Sequence, residues 1–369
     1  MNMKIWVAIA ALPMVALTTP AQAQKVGDKV ADSYICVFKD EMVSRANAKT
    51  EADRAVKAVK GRMGHVYSAA VRGFSMNASA QAMENMKRNN PKIAYCEEDR
   101  IASISQTGGG GGGTTQPAQV TPWGIARVRG GRAGTFATAW VIDSGIQLNH
   151  PDLNVDTARS RSFVAGITSP SDINGHGTHV AGTIAARNNT IGVVGVAPGA
   201  RVVAVRVFES RSGPFSAVIA GVDYVAANAA PGDVANMSLG GPGSSALDTA
   251  VRNAAARGIR FAVAAGNEAQ FAGNVSPARL NAPNVWTISA FAQGDTWASF
   301  SNFGNPPVDF SEPGVAIRST WINSSYNTIS GTSMATPHFA GILLQNRFAD
   351  GGRVSGDPDG TPDTIVVVP

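Results

Sequence analysis

Residues 137–145 read ATAWVIDSG. The apolar run ATAWVI is the length of a buried strand and too short for an ordinary helix, and it stops at Asp143, directly before Ser144-Gly145. A carboxylate at the end of a buried strand needs a partner or water; taken alone, such an Asp reads as a turn former. Working outward, Val202–Val207, Val234–Ser238, Phe261–Ala264 and Val285–Ser289 are further apolar runs of strand length. Ala-rich helical stretches lie between several of them, at His179–Ala186, Phe215–Ala227 and Ser245–Ala255. Strands alternating with helices predict an α/β fold whose mainly parallel sheet is covered on both faces. Working residues in such a fold sit at strand ends and in the loops that follow.

Several segments at those positions carry groups capable of chemistry. NGHGTHVAGTIA (174–185) places His176 and His179 three apart at the start of a small-residue helix. The zinc-protease helix signal uses a four-residue spacing and a neighbouring Glu, so metal is the weaker reading, and spacing alone does not choose between the two histidines. FAVAAGNE (261–268) ends a strand in Gly266-Asn267. An Asn there is ordinarily a turn residue, yet beside a nucleophile its amide can donate to a developing oxyanion. ISGTSMATPHFAGI (329–342) puts Thr332 and Ser333 before a proline and an apolar run. It reads either as a capped, closely packed helix or as a nucleophile held at a helix N-terminus.

Together these pieces resemble the subtilisin-type serine endopeptidases of the secreted, proteinase K-like sort. The matching blocks are VIDSG at Asp143, NGHGTHVAGTIA at His176, NMSLGG at 236–241, AAGN at Asn267 and GTSMATPH at Ser333, spanning about Ala118 to Leu344. They run in the order Asp, His, Ser, which is the subtilisin order. The resemblance implies a three-layer fold in which Asp143, His176 and Ser333 form the catalytic triad, Asn267 completes an oxyanion hole and Thr332 assists. It selects His176 as the base and leaves His179 in the helix behind. It further implies an extended peptide bound as an added strand between Ser238-Leu239-Gly240 and Arg211-Ser212-Gly213. Ala264, Ala265 and Gly266 are expected to line an uncharged primary pocket, giving broad specificity with apolar residues favoured before the scissile bond. Phe215 matches an aromatic position flanking the fourth subsite; otherwise it is an ordinary core residue. Gln119, Asp152 and Asn189, with the carbonyls of Arg187, Ile191 and Val193, match a tight calcium site, where oxygen-only ligands suit the ion; otherwise the loop RNNTIGV (187–193) merely turns. No organic cofactor is expected.

The first third has a different character. Strand-like Asp32–Phe38, a helical Ser44–Lys60, a strand pair in Val66–Ser75, a helical Ala80–Asn89 and strand-like Lys92–Glu97 predict a small split α+β, ferredoxin-like unit. YICVFKD, HVYSAAVRGFS and IAYCEEDRI resemble the inhibitory propeptide of the same enzymes, and EEDRIASISQ (97–106) resembles its cleft-occupying tail, cut after Ser105 or Gln106. Six consecutive glycines, Gly108–Gly113, cannot sustain a helix or strand cheaply and mark a tether. The first 23 residues carry Lys4, an apolar run from Ile5 to Leu17 and small residues at Ala21 and Ala23, the layout of a secretory signal. The expected organisation is therefore signal 1–23, propeptide 24–105, tether 106–118 and catalytic domain 119–369, exported to the periplasm or beyond the cell, with no membrane span after signal removal and no partner copy.

Charge and thiols divide at the same boundary. Up to Ser105 there are 15 Lys and Arg against 10 acids; beyond it there are 16 arginines, no lysine and 16 acids. The formal +5 thus belongs to the first third, and a nucleic-acid footprint on the larger part is unsupported. Cys36 and Cys96 are the two cysteines, which excludes a thiol nucleophile after the tether and leaves a disulfide or two buried thiols before it. Two rivals remain to be excluded. A binding protein on this scaffold would lack a triad or oxyanion residue, and a lipase would show G-x-S-x-G and the order Ser, acid, His.

Overall fold

The computed structural model describes residues 25–104 and 116–369. The signal segment, most of the tether and the expected cut after Ser105 or Gln106 lie outside them. The first unit runs β1 (Lys29–Phe38), α1 (Ala48–Ala58), β2 (Arg62–Tyr67), β3 (Gly73–Asn77), α2 (Ala80–Asn89) and β4 (Ile93–Ser103). Its antiparallel sheet is ordered β2-β3-β1-β4. Met83, Met86, Ala52 and Val56 from the helices bury against Cys36, Phe38 and Phe74. Cys36 and Cys96 face each other across β1 and β4 and form a disulfide.

The larger unit is built on α3 (Trp123–Arg127), β5 (Ala139–Asp143), α4 (His176–Ala185), β6 (Arg201–Arg206), β7 (Ser212–Pro214), α5 (Phe215–Asn228), β8 (Val234–Met237), α6 (Ser245–Ala255), β9 (Arg260–Ala264) and β10 (Val285–Ala292). It continues through β11 (Val308–Pro313), β12 (Ile317–Trp321), β13 (Ser325–Ile329), α7 (Thr332–Leu344), β14 (Ala349–Arg353) and β15 (Thr364–Val367). The main sheet follows the order β14-β15-β11-β10-β9-β8-β5-β6, parallel from β15 to β6. Helices cover both faces, as the strand and helix alternation predicts. Because successive strand residues point to opposite faces, Trp140 and Ile142 join one core with α5 and α6, while Ala139 and Val141 join the other with α4 and α7. Every residue of α4 and α7 is buried, which is why neither shows an apolar stripe. No described helix is long and apolar enough to cross a membrane.

Chain order fixes where the site lies. From β5 the chain crosses through α4 to β6 on one side, then returns through α5 to β8 on the other. The switch in direction therefore falls between β5 and β8, and their carboxyl ends open a crevice there. Asp143 ends β5, and Ser238 follows the last residue of β8.

The end of β4 differs from its sequence expectation, continuing to Ser103 where Glu97 was the anticipated limit. The extension pairs antiparallel with β7, Ile101 opposite Pro214, Ala102 opposite Gly213 and Ser103 opposite Ser212. On its other edge, Ser103 and Gly240 exchange both backbone hydrogen bonds at 3.0 Å. The polar stretch EEDRIAS has little strand propensity of its own; β1 pairs with Glu97 to Arg100, and the second unit supplies the partners of Ile101 to Ser103.

Candidate active site

Asp143 and His176 are fully buried and meet at the crevice: Nδ1 of His176 donates to Oδ1 at 2.8 Å and lies 2.9 Å from Oδ2. The backbone N–H of Ser144 holds Oδ1 from the other side at 2.7 Å. His176 is the first residue of α4, and Gly177 lets the helix approach β5: a Cβ there would stand 2.1 Å from the Gly145 carbonyl. The other three histidines of this unit are neutral and bound to carbonyls. His179, behind Trp321, is pushed by burial down to about 3 and bonds the Ile317 carbonyl at 2.9 Å. Burial likewise lowers His150 and His338 to about 4. Among the described residues only His176 has a carboxylate on its ring.

Ser333 is the second residue of α7, which packs on α4. Its hydroxyl donates to the Ser238 carbonyl at 3.0 Å, and the Ser238 hydroxyl donates to the Ser333 carbonyl at 2.8 Å. Nε2 of His176 is buried with no hydrogen-bond partner among the described residues. Asn267 presents its amide oxygen to Thr332, accepting from both its N–H and its hydroxyl at 2.8 Å. That pair of bonds fixes which end of the amide carries Nδ2. Thr332 is thus an orienting residue for Asn267.

A cavity of about 450 Å³ opens beside Ser333. Leu239, Gly240, Ala264 and Gly266 line it. Two expectations for this pocket need correction. Ala265, the first residue beyond β9, is fully buried against Ala272 and Val308 and does not line the cavity. The wall is also charged: Glu268 lines it together with Gln270 and Asn274, its Oε2 accepting from Asn302 at 2.7 Å. Ser212 and Gly213 pair with Ser103 and Ala102. Phe215 is buried in the core at the start of α5, its ring beneath Gly241.

The residues matched to a calcium site lie together. Asp152, fully buried, accepts from Asn189 Nδ2 at 2.8 Å and from the Val193 N–H at 3.2 Å. The Asn189 side-chain oxygen accepts the Ile191 N–H at 2.8 Å, the Gln119 side-chain oxygen accepts the Asn189 N–H at 2.5 Å, and the N–H of Arg187 bonds the Asp152 carbonyl at 2.9 Å. Burial raises the Asp152 carboxyl to about 6.

Carboxylates also join the two units. Glu97 accepts the N–H groups of Ser245 and Ala246 and the hydroxyl of Ser244, capping α6. Asp99 accepts the Ser216 N–H at 3.1 Å in the first turn of α5. In the reverse direction, Asp223 of α5 accepts the consecutive N–H groups of Ser68, Ala69 and Ala70.

Residues 139–351 match the Subtilase family. The chain is 38% identical to the subtilisin-like serine protease AsES of Sarocladium strictum, over 92% of this chain and 90% of that protein. It is equally 38% identical to subtilisin NAT of Bacillus subtilis subsp. natto, over 92% and 87%. A crystal structure of a cold adapted subtilisin-like serine proteinase superposes with a TM-score of 0.58 at 40% identity, covering 67% of this chain and 98% of that one. The chain belongs to the subtilase family and is a serine endopeptidase.

Proposed function

We propose that the chain is a secreted zymogen that cuts its own backbone and then hydrolyses protein substrates through Asp143, His176 and Ser333. The carrying observation is the buried Asp143–His176 pair at a strand end, across packed helices from Ser333. In the proposed cycle the Ser333 hydroxyl turns from the Ser238 carbonyl toward Nε2 of His176 and gives up its proton as Oγ attacks the scissile carbonyl. Asp143 holds the Nδ1–H tautomer and stabilises the imidazolium. Nδ2 of Asn267 and the N–H of Ser333 bind the oxyanion. His176 then protonates the leaving amine, and water repeats the sequence on the acyl-enzyme.

Residues 24–105 act as inhibitor in this reading. The support is the end of β4, which lies as the middle strand between Ser212–Pro214 and Gly240, the pairing an extended peptide substrate would make. The pocket favours apolar residues before the scissile bond, with Glu268 admitting basic ones. Precursor expressed with Ser333→Ala should remain uncut and inactive on casein, whereas the unaltered chain matures and is stopped by a serine-directed phosphonate. Normal processing of the variant without added protease would overturn the reading.

Gln119, Asp152 and Asn189, with carbonyls of Arg187, Ile191 and Val193, are proposed to hold calcium. The support is a buried carboxylate that forms no ion pair among the described residues, with the side-chain oxygens of Gln119 and Asn189 close by. Asn189 turns its nitrogen to Asp152 and both amide oxygens accept backbone N–H groups, so those bonds would give way to the ion. Bound there, the ion would supply the charge that Asp152 lacks. Chelation should lower Tm by several degrees in the mature enzyme and leave an Asp152→Asn variant unmoved; an unchanged Tm in the unaltered enzyme would remove the site.

A further inference from the structure

Two buried charges behind the crevice take no part in the chemistry above. Asp172 precedes His176 by four residues. Its Oδ1 accepts the Ser144 hydroxyl at 3.0 Å and the N–H groups of Asn174 and Gly175 at 2.8 and 3.0 Å. Its Oδ2 accepts the N–H and the hydroxyl of Thr178 at 3.0 and 2.7 Å. The Ser144 hydroxyl oxygen in turn accepts the Gly177 N–H at 3.1 Å. One carboxylate therefore ties the first turn of α4, which carries His176, to the residue that follows Asp143.

Arg206 ends β6 directly opposite Asp143 in the sheet and is 2% exposed. Its guanidinium bonds carbonyls alone: Ser169 and Ser171 at 3.2 and 2.9 Å, Phe208 and Glu209 at 3.1 and 2.8 Å. The first two belong to the loop that delivers Asp172. The last two begin the segment that leads to the Ser212–Pro214 wall. A buried cation and a buried anion each carry a desolvation cost that apolar side chains would avoid. What they provide here is fixed geometry at three pieces of one site.

We infer that Asp172 and Arg206 are a pair of positioning residues for proteolysis, Asp172 holding His176 against Asp143 and Arg206 holding the substrate-binding wall. The inference rests on Asp143, His176 and Ser333 being the reacting set. It has an electrostatic signature that a merely structural role lacks. The charged and titratable groups on the elements packed around His176 are Asp143 from β5, His179 on α4 itself, Arg201 and Arg206 from the two ends of β6, Arg318 from β12 and His338 from α7, with Asp172 at the helix start. Removing the Asp172 charge disfavours the imidazolium; removing the Arg206 charge favours it. The acid limb of the rate profile should therefore move in opposite directions for the two changes.

The test uses full-length precursors carrying Asp172→Asn, Arg206→Met or Ser144→Ala, matured and assayed on a peptide substrate across pH, with the uncut Ser333→Ala precursor as the inactive control. Asp172→Asn should lower kcat about 10- to 100-fold with KM little changed, and shift the acid limb down by roughly half a pH unit or more. Arg206→Met should raise KM and shift the limb upward. If Asp172→Asn yields no mature enzyme, Ser144→Ala decides, since it keeps the carboxylate and removes only the bridge: kcat should fall about 5- to 10-fold at constant KM. Limbs unmoved in both charge variants, or a Ser144→Ala enzyme of full kcat, would overturn the inference while Ser333→Ala stays inactive. Activity in Ser333→Ala would instead overturn the reading beneath it.

Discussion

The amide of Asn267 is useful only if its nitrogen faces the cleft, and Thr332 enforces that by occupying the oxygen with two donors. Asn267→Ala should therefore cost kcat about 10²- to 10³-fold, the loss known for the corresponding donor in subtilisin, with little change in KM. Thr332→Val, which leaves Asn267 in place and removes one of its two anchors, should lose a smaller part of kcat; equal losses would mean that Thr332 acts on its own account. Glu268 sets a second expectation. Its carboxylate lines the pocket beside Ser333, so Glu268→Gln should lower kcat/KM for substrates with Lys before the scissile bond about tenfold, and leave Phe substrates within twofold. A uniform change across both would place the carboxylate out of reach of substrate. Asp143, His176, Asn267 and Ser333 were legible through the likeness of their blocks to the subtilisin-type pattern; their positions where apolar runs end or begin read by themselves as turn and capping residues. Glu268 was not, since its reach depends on the turn at Gly266, with φ near +106°, and on Asn302 from a distant segment.

Among the elements, β4 carries the most consequence and was the most incompletely read. Its first half follows from Ile93 to Cys96 facing β1, whereas Ile101 to Ser103 become a strand only because β7 and Gly240 offer two edges. Edge pairing between units leaves no periodic trace in either segment. The same holds for the C-terminal strand Thr364–Val367, whose apolar run does not by itself show that it pairs with β11 and β14. The Cys36–Cys96 disulfide joins β4 to β1 across 60 residues of chain, and closing a loop of that length removes about 4 kcal/mol of conformational freedom from the unfolded state. For a unit of this size that is most of its stability. The double variant Cys36→Ser with Cys96→Ser should therefore yield a first unit that is largely unfolded by itself, with slower maturation of the precursor. Far-UV circular dichroism of the unit and the rate of appearance of mature enzyme check it, and unchanged maturation would show that docking on α5 and α6 folds the unit without the crosslink.

At the scale of the whole molecule, buried titratable groups set how stability varies with acidity, and here two sets oppose each other. Burial raises the carboxyls of Asp152, Asp309 and Asp363 to about 6 each, from an ordinary value near 4. Between those limits the folded chain binds protons that the unfolded chain has released, so these three groups make stability fall as pH rises from about 4 to 6. Burial lowers His150 and His338 to about 4 and His179 to about 3. In the window up to about 6.5 the unfolded chain binds protons that the folded chain excludes, so these three make stability rise with pH. A single group mismatched across the window contributes about 1.4 kcal/mol per pH unit. Burial also raises the carboxyls of Glu97, Asp99, Asp172, Asp223, Glu312 and Asp357, against one further lowered histidine, His65, so the falling set outweighs the rising one. The Ser333→Ala precursor, which cannot digest itself, should therefore lose Tm as pH rises from about 4.5 to about 6, measured with a chelator present so that Asp152 titrates. Replacing His150 by Asn removes one rising contribution and should steepen that decline. A Tm that rises across the window would show that the carboxyls are solvated well enough to titrate normally.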